Sequence, residues 1–581
     1  MYCVFILSFS NHSVDEPSAT SIFVTIILSL GIPVNLSETP IAVRIFSLLD
    51  GALWNCVASF DDTYLDAFRR GQSPVVRVPE SVCDDTVNPY TTDARGLCMV
   101  HMYAAAIPNL VPDAIPFFLD ALQGIGYPEV ELGLDEDIDA CRELEDYEEF
   151  KSCLNDVSAA AEYAPIVVAS AIVADMLDYA NNNGWNFDGM EGGCQYNCAA
   201  YADTTGYQPR NLPGTAERLS AKKSKASKSE RALTQMGDKT GSSKSAKKSK
   251  GKLDATAKYW QPLLENDGRG FFFRQEHVTP HIGFTAQPRL FSREEIDSRE
   301  LEDPKYDLVL EAELVTKRLQ NLDDETKMLV EHFDNKSVVA GTLFRSLIFR
   351  YGFADFTFER VMLWLVVFLS AEEDAVLLAW KEKVRNDLVR PTTVIQQSDR
   401  YGTPEEITTW AGPFQDVETF PAGDFQPYIR VMPHAEFPSG SSCICTAGGA
   451  AMKAYMMTVF NDDLADYNTL SRSYMAGDSL VEPGVTPAEP LTLVFDDLDD
   501  FVAQCGQSRL DGGMHFTASI EAGNELCQGF QPKVEEYILE LLNGKDDLIT
   551  TYQPSRDGAE AAENSQEEQD ILALFDQIPD N

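Results

Sequence analysis

Positive charge is scarce in this chain of 581 residues. Lys and Arg number 46 against 92 Asp and Glu, a formal charge of −46. A surface that negative repels a polyanion over most of its area, which excludes a generic nucleic-acid binder. Cysteine is sparse as well. Twelve residues fall far short of a small disulfide-built scaffold, and none stands among His or Cys at zinc-ligand spacing, so no zinc site is expected. Long apolar runs are also missing. Ile22 to Val34 is short and contains a Pro, and Val361 to Leu369 is closed in by Glu359, Arg360, Glu372 and Glu373. Neither approaches the ~20 residues that span a bilayer. No basic segment precedes the first run, since the first Arg is Arg44, and no signal peptide is recognisable. The apolar content, 44%, is that of a chain with a core, which argues against wholesale disorder.

The few cations are unevenly spread. Residues 220–252 hold ten Lys and Arg231 against Glu230 and Asp238, leaving 35 basic and 90 acidic residues elsewhere. A basic Lys/Ser tract in an acidic chain predicts a disordered insertion. Cys194 with Cys198, Cys443 with Cys445 and Cys141 with Cys153 are near enough in sequence to pair. Oxidised pairs and the sequons at Asn11, Asn35 and Asn335 lean toward an extracellular protein.

Helical spacing of apolar residues dominates the pattern. It runs over Ile41–Phe68, over Leu97–Leu122 with breaks at Pro108 and Pro112, and over Val157–Tyr179 up to the turn at Asn181-Asn182-Asn183-Gly184. It resumes over Asp307–Phe333, Ser337–Tyr351, Phe356–Leu388, Ala447–Phe460 and Val534–Leu542, while strand-like alternation is scarce. The expected architecture is all-α. One helical bundle occupies 1–210, the insertion 211–255, a second bundle 256–545 and an acidic tail 546–581.

Three segments of the second bundle carry anion-binding chemistry. Lys383 and Arg390-Pro391 are seven residues apart, which predicts one shared helical face ended by Pro391. Alone this is an ordinary basic helix face. Pro438-Ser439-Gly440-Ser441 before the Ala-rich run from Ala447 predicts a helix N-terminus, whose free N–H groups and Ser hydroxyl suit an oxyanion. Ser508-Arg509 and His515 flank Gly512-Gly513, so that Arg509 and His515 converge across a turn. A lone His is more often a satisfied core residue than a ligand.

Taken in this order, the segments resemble the three-part motif of the vanadium-dependent haloperoxidases and type 2 phosphatidic acid phosphatases. His434-Ala435-Glu436-Phe437-Pro438-Ser439-Gly440 resembles a haloperoxidase stretch, as do Trp380, Ile395 and the run from His515-Phe516 into Ile520-Glu521-Ala522-Gly523. Ala42–Phe60 resembles the family's first long helix. The likeness runs from about residue 36 to 530 and is sharp between 380 and 525. Without membrane spans, the haloperoxidase branch is the better match.

The resemblance implies a bound vanadate. Lys383, Arg390 and Arg509 would neutralise its oxygens, the Ser439 hydroxyl and Gly440 N–H would hydrogen-bond to them, and His515 would ligate the metal. One cation–oxyanion pair at 4 Å is worth about 4 kcal/mol before desolvation at an effective dielectric near 20. The implied partners are hydrogen peroxide and halide, converted to a hypohalous acid equivalent. Two positions depart from the family. Ser441 stands where an acid/base His is expected, which predicts lowered turnover; His434, seven residues upstream, is the candidate to stand in. Ser519 stands where phosphatase relatives place an Asp that orients the ligand His. Two other readings remain open: a soluble acid phosphatase with His515 as nucleophile, and a catalytically silent oxyanion-binding or matrix protein suggested by the Lys/Ser tract. His12, His101, His277, His281 and His332 are expected to be structural or superficial.

Overall fold

A computed structural model describes residues 38–79, 91–124, 130–191, 198–211, 255–266, 270–464, 467 and 470–552. The Lys/Ser tract, the Ile22–Val34 run, the sequons at Asn11 and Asn35, Cys194 and the acidic tail from 553 lie outside the described residues. The N-terminal half contributes α1 (Thr39–Ser59), α2 (Thr91–Leu110), α3 (Ile115–Gly124), α4 (Glu136–Cys141), α5 (Tyr147–Ala160) and α6 (Pro165–Asn182). The hairpin β1 (Leu264–Asn266) and β2 (Phe272–Arg274) follows, then α7 (Ile282–Thr285), α8 (Arg293–Ser298), α9 (Leu308–Leu319), α10 (Asp324–Asp334), α11 (Lys336–Asp355) and the long α12 (Phe358–Asn386). Beyond it come α13 (Pro391–Gln396), α14 (Ser398–Tyr401), hairpin β3 (Glu406–Trp410) and β4 (Val417–Pro421), and α15 (Gly440–Val459). Hairpin β5 (Ser471–Tyr474) and β6 (Leu491–Val494), α16 (Leu498–Asp511), α17 (Thr517–Leu526) and α18 (Phe530–Leu542) complete the chain. The all-α expectation holds, with three antiparallel hairpins added at the periphery.

Several helices are shorter than their apolar pattern. The Ile41–Phe68 pattern stops being helical at Ser59. Asp61 Oδ1 accepts the Thr63 N–H at 2.9 Å, and Asp66 Oδ1 accepts those of Phe68 at 2.6 Å and Arg69 at 2.9 Å. Such local bonds offer the backbone a turn in place of the next helical turn. Val157–Tyr179 splits where Glu162 and Tyr163 adopt positive φ and Pro165 starts a new helix. Asp307–Phe333 splits where Asp323 caps α10 through the Thr326 N–H, 2.8 Å away. Conversely, α2 runs through Pro108, and the break falls at Pro112.

Helix α12 is the axis of the fold, packing on α1 and on α15. α1 is the one described helix long and apolar enough to cross a bilayer; 89% of that window is buried inside the protein. Several charged residues on α12 are buried with it and held by partners. Glu373 pairs with Arg44 at 2.6 Å, Asp374 accepts the N–H groups of Arg289, Leu290 and Phe291 at 2.6–2.9 Å, and Lys381 donates to the carbonyls of Ile296 and Asp297. One apolar core surrounds α12 and extends into both halves of the chain. A second, smaller core gathers Val389, Val394, Ile395, Met514 and Phe516.

Disulfides join Cys56–Cys98, Cys141–Cys153, Cys443–Cys527 and Cys445–Cys505. The Cys141–Cys153 pairing agrees with expectation. The Cys443–Cys445 pairing is corrected. Two residues apart on one helix, their side chains diverge by about 200°, and each reaches a different neighbouring helix.

Burial lifts the Asp50 carboxyl on α1 to about 8. A carboxyl near 4 in the unfolded chain then binds its proton more tightly when folded, so stability is lost as pH rises from about 4 through 8. Asp50→Asn is therefore expected to raise the thermal midpoint at pH 8 and leave it nearly unchanged at pH 4, as read by calorimetric melts.

Candidate functional site

The end of α12 sets the geometry. Asp387 takes a left-handed conformation at φ +55° and stops the helix. Residues 388–390 then run extended between two other segments, with Val389 N–H donating to Lys258 O at 3.0 Å and Glu436 N–H to Leu388 O at 2.9 Å. Arg390 is thus the N-cap of α13 and Pro391 its first residue. Lys383 and Arg390 do not share a helical face, and Pro391 begins a helix rather than ending one. A left-handed residue between the two invalidates the seven-residue phasing.

Even so, the side chains converge. Lys383 is fully buried, its ammonium donating to the carbonyls of Ala435 at 3.0 Å, Glu436 at 3.1 Å and Pro438 at 2.5 Å. Burial and neighbouring Arg390 push its pKa well down, against the pull of Glu436. Arg390 donates to His434 O at 3.1 Å, Met514 O at 3.0 Å and His434 Nδ1 at 2.9 Å, and meets His515 Nε2 at 3.3 Å. Because an arginine only donates, the His515 Nε2 facing it carries a lone pair, while His434 Nδ1 lies between Arg390 and the Ala435 carbonyl, 3.1 Å away.

The other nitrogen of His515 fixes its tautomer. His515 Nδ1–H donates to Glu436 Oε1 at 3.0 Å, with Ser519 Oγ at 3.3 Å. The same carboxylate accepts the Phe516 N–H at 3.0 Å and the Tyr306 hydroxyl at 2.9 Å. Burial first, then Arg390, Lys383 and Arg509, hold the His515 pKa well below its ordinary value. Its ring is therefore neutral, with Nε2 an acceptor facing Arg390. The orienting carboxylate that Ser519 does not supply comes from Glu436 instead. His434 is kept neutral in the same way, by burial and then Lys383 and Arg390, and its ring lies 4.9 Å from that of Trp380.

Arg509 forms the far wall. It bonds Asp334 at 3.0 Å and the carbonyl of Val330 at 3.3 Å, while its buried Nε has no partner among the described residues. Ser439 caps α15 as its residue type predicts, accepting the Ser442 N–H at 3.2 Å, and the helix begins at Gly440.

These groups surround a cleft. Of the residues expected from sequence, Arg390, His434, Gly440, Ser441, Arg509 and His515 line it. Lys383 and Ser439 stand one layer behind, although a Cβ on Gly440 would lie 3.5 Å from Lys383 Cε. Three functional residues escaped the sequence reading. Glu436 lies within the stretch that carries the family likeness, and nothing local marks it as the partner of a residue 79 positions away. Asp334 and Lys336 also line the cleft. Lys336 had stood out only within a sequon, whose Asn335 in fact caps α11 by accepting the Ser337 N–H at 3.0 Å. Burial and Arg509 lower the Lys336 pKa to about 8, against Asp334 and Glu372. The cleft wall therefore carries three cations, Lys336, Arg390 and Arg509, against the single carboxylate of Asp334. It is a local reversal of the chain's −46 charge, suited to a small oxyanion. Of the other His residues, His281 and His332 are buried and the His277 ring lies 6.4 Å from that of His434, while His12 lies outside the described residues.

Fold and site define an all-helical protein with a cationic cleft and a lone-pair imidazole at its wall. Comparison with known proteins is consistent with this. The family model for the VCPO second helical-bundle domain matches residues 364–544. Two solved structures, the holo- and apo-types of a bacterial vanadium-dependent chloroperoxidase, share the fold with TM-scores of 0.64 and 0.63 at 20% identity. The matches cover 87% and 86% of this chain and 93% of each of those. No curated protein matches the chain by sequence. Residues 364–544 thus match the VCPO second helical-bundle domain, and the chain shares its fold with these two structures.

Lys336 makes anion affinity pH-dependent. Its pKa of about 8 predicts that sulfate, a tetrahedral dianion whose charge is constant in this range, binds more weakly as pH rises from 7 to 9. Lys336→Arg is expected to flatten that profile, measured by titration calorimetry.

Proposed function

We propose that this chain is a vanadium-dependent haloperoxidase that uses hydrogen peroxide to oxidise halide to a hypohalous acid equivalent. The observation carrying this reading is the neutral His515, its Nδ1–H fixed by Glu436 and its Nε2 lone pair at a cleft lined by Lys336, Arg390 and Arg509. The residues present fit vanadate. Three cations and the unpartnered Arg509 Nε suit its oxygens, the first N–H groups of α15 at Gly440 and Ser441 add donors, and His515 Nε2 suits the metal. Bound vanadate supplies a Lewis acid for activating peroxide.

The protein's own share is positioning and charge. Lys383 ties the 435–438 loop through its three carbonyl contacts and adds positive charge behind Gly440. Glu436 keeps the His515 proton on Nδ1, away from the cleft. Ser441 lines the cleft with a hydroxyl that does not titrate near neutral pH. His434 shares that wall but, held neutral by burial and then by its cationic neighbours, offers a hydrogen bond and not a proton.

Purified protein supplied with vanadate, hydrogen peroxide and bromide is expected to brominate a phenol dye. Hydrolysis of nitrophenyl phosphate without peroxide, and no bromination, would refute the proposal in favour of a phosphatase. Glu436→Gln should lower bromination roughly 10- to 100-fold, the usual cost of losing a carboxylate that orients a metal-ligating His. Ser441→His should raise turnover, since a placed acid–base group contributes about 10²–10⁴-fold in general. Unchanged turnover would remove position 441 from the chemistry.

A further inference from the structure

We infer that the cystines Cys445–Cys505 and Cys443–Cys527 position the anion cleft, so that its affinity depends on their oxidation. This rests on the reading of the cleft as an oxyanion site.

α15 and α16 carry part of the cleft's lining and α17 follows His515 directly, and the two cystines are covalent ties between these three helices. α15 presents Gly440 and Ser441 in its first turn and Ile444 one turn later, all lining the cleft. Cys443 and Cys445 flank Ile444. Cys445 is bonded to Cys505, 60 residues away on α16. Cys505 precedes Arg509 by four residues, so both lie on the same face of that helix, and its Sγ sits 3.6 Å from Ser441 O. The path from Ser441 to Arg509 therefore crosses a single cystine and about one helical turn on either side. Cys443 is bonded to Cys527, 84 residues away, at the end of α17. α17 begins two residues after His515, and its first turn is held to α15 by the Ser439 N–H donating to Ser519 O at 3.0 Å.

Apart from these bonds, Arg509 is anchored to α10 through Asp334 and the Val330 carbonyl. The helix interfaces have no slack to absorb a change. A Cβ on Gly523 would meet Ser439 O at 2.5 Å, and one on Gly506 would meet Ile520 Cγ2 at 2.6 Å. A dithiol reductant delivers two electrons and two protons to each cystine. The S–S bond breaks, two thiols form, and the reductant becomes a cyclic disulfide. Thiols in contact stand roughly 1.5 Å farther apart than bonded sulfurs. In so tight an interface that separation displaces Arg509 relative to Gly440 and Ser441.

The test uses sulfate, because thiols reduce vanadate. Titration calorimetry compares the oxidised full chain with the Cys445→Ala/Cys505→Ala double variant. A Cys141→Ala/Cys153→Ala control removes a cystine of similar kind from the N-terminal half. The first variant is expected to bind sulfate roughly 10- to 100-fold more weakly, the scale of an ångström-sized misplacement. The control should keep its sulfate affinity even where its thermal midpoint falls. Equal affinity in the first variant and the oxidised chain overturns the inference. Should that variant fail to fold, the oxidised protein is titrated with dithiothreitol. Cysteine alkylation is then mapped by mass spectrometry while sulfate affinity is followed. Affinity that stays constant as Cys505 becomes alkylated overturns the inference; affinity that falls in step with it supports it. An oxidised chain that never binds sulfate refutes the reading of the cleft itself.

Discussion

The carboxylate of Glu436 is fully buried, and three separate stretches of chain converge on this residue. Its two oxygens take the imidazole N–H of His515, the Phe516 N–H and the Tyr306 hydroxyl, while its backbone carbonyl receives the Lys383 ammonium. A carboxylate taken out of water is costly unless its lone pairs are filled and compensating charge is near. Here the donors supply the first requirement, and Arg390 and Lys383 the second. The dependence is mutual. Lys383 and Arg390 are buried cations that need Glu436, and His515 owes its tautomer to it.

Burial of charge is also what separates this protein's interior from its surface. A chain at −46 repels anions at long range, yet the cleft gathers Lys336, Arg390 and Arg509 against Asp334. Salt screens exposed charges more than about 10 Å away, so the local set decides what the cleft accepts. The long helix α12 supports this arrangement. Its Glu373, Asp374, Lys381 and Glu382 are as buried as its apolar residues, each bonded to a loop or helix of the other layers. The helix is thereby held in one register, and the Lys383 end is delivered to the same place.

Some of the site could be read locally. Ser439 before Gly440 announces a helix start because a serine oxygen satisfies N–H groups two or three residues on, and Gly512-Gly513 marks the end of α16 because the second of them needs positive φ. Chain order and residue type were enough to nominate Arg390, Arg509 and His515. The phasing of Lys383 with Arg390 misled, since Asp387 in a left-handed conformation resets the direction of the chain and nothing in its identity requires that. Cys443 and Cys445 misled likewise, because nearness in sequence says little about which neighbouring helix each side chain faces.

By itself, then, the amino-acid order determined the helical class, the caps and turns, and the chemical types available for holding an anion, because these depend on interactions within a few residues. The tertiary structure alone decided that Glu436 orients His515, that Lys336 and Asp334 join the cleft, that Lys383 works from behind it, and which cysteines pair. Each of those is a contact between distant segments. Its existence depends on how α12, α15, α16 and α17 pack, and that packing is set by the whole core and not by any one stretch of sequence.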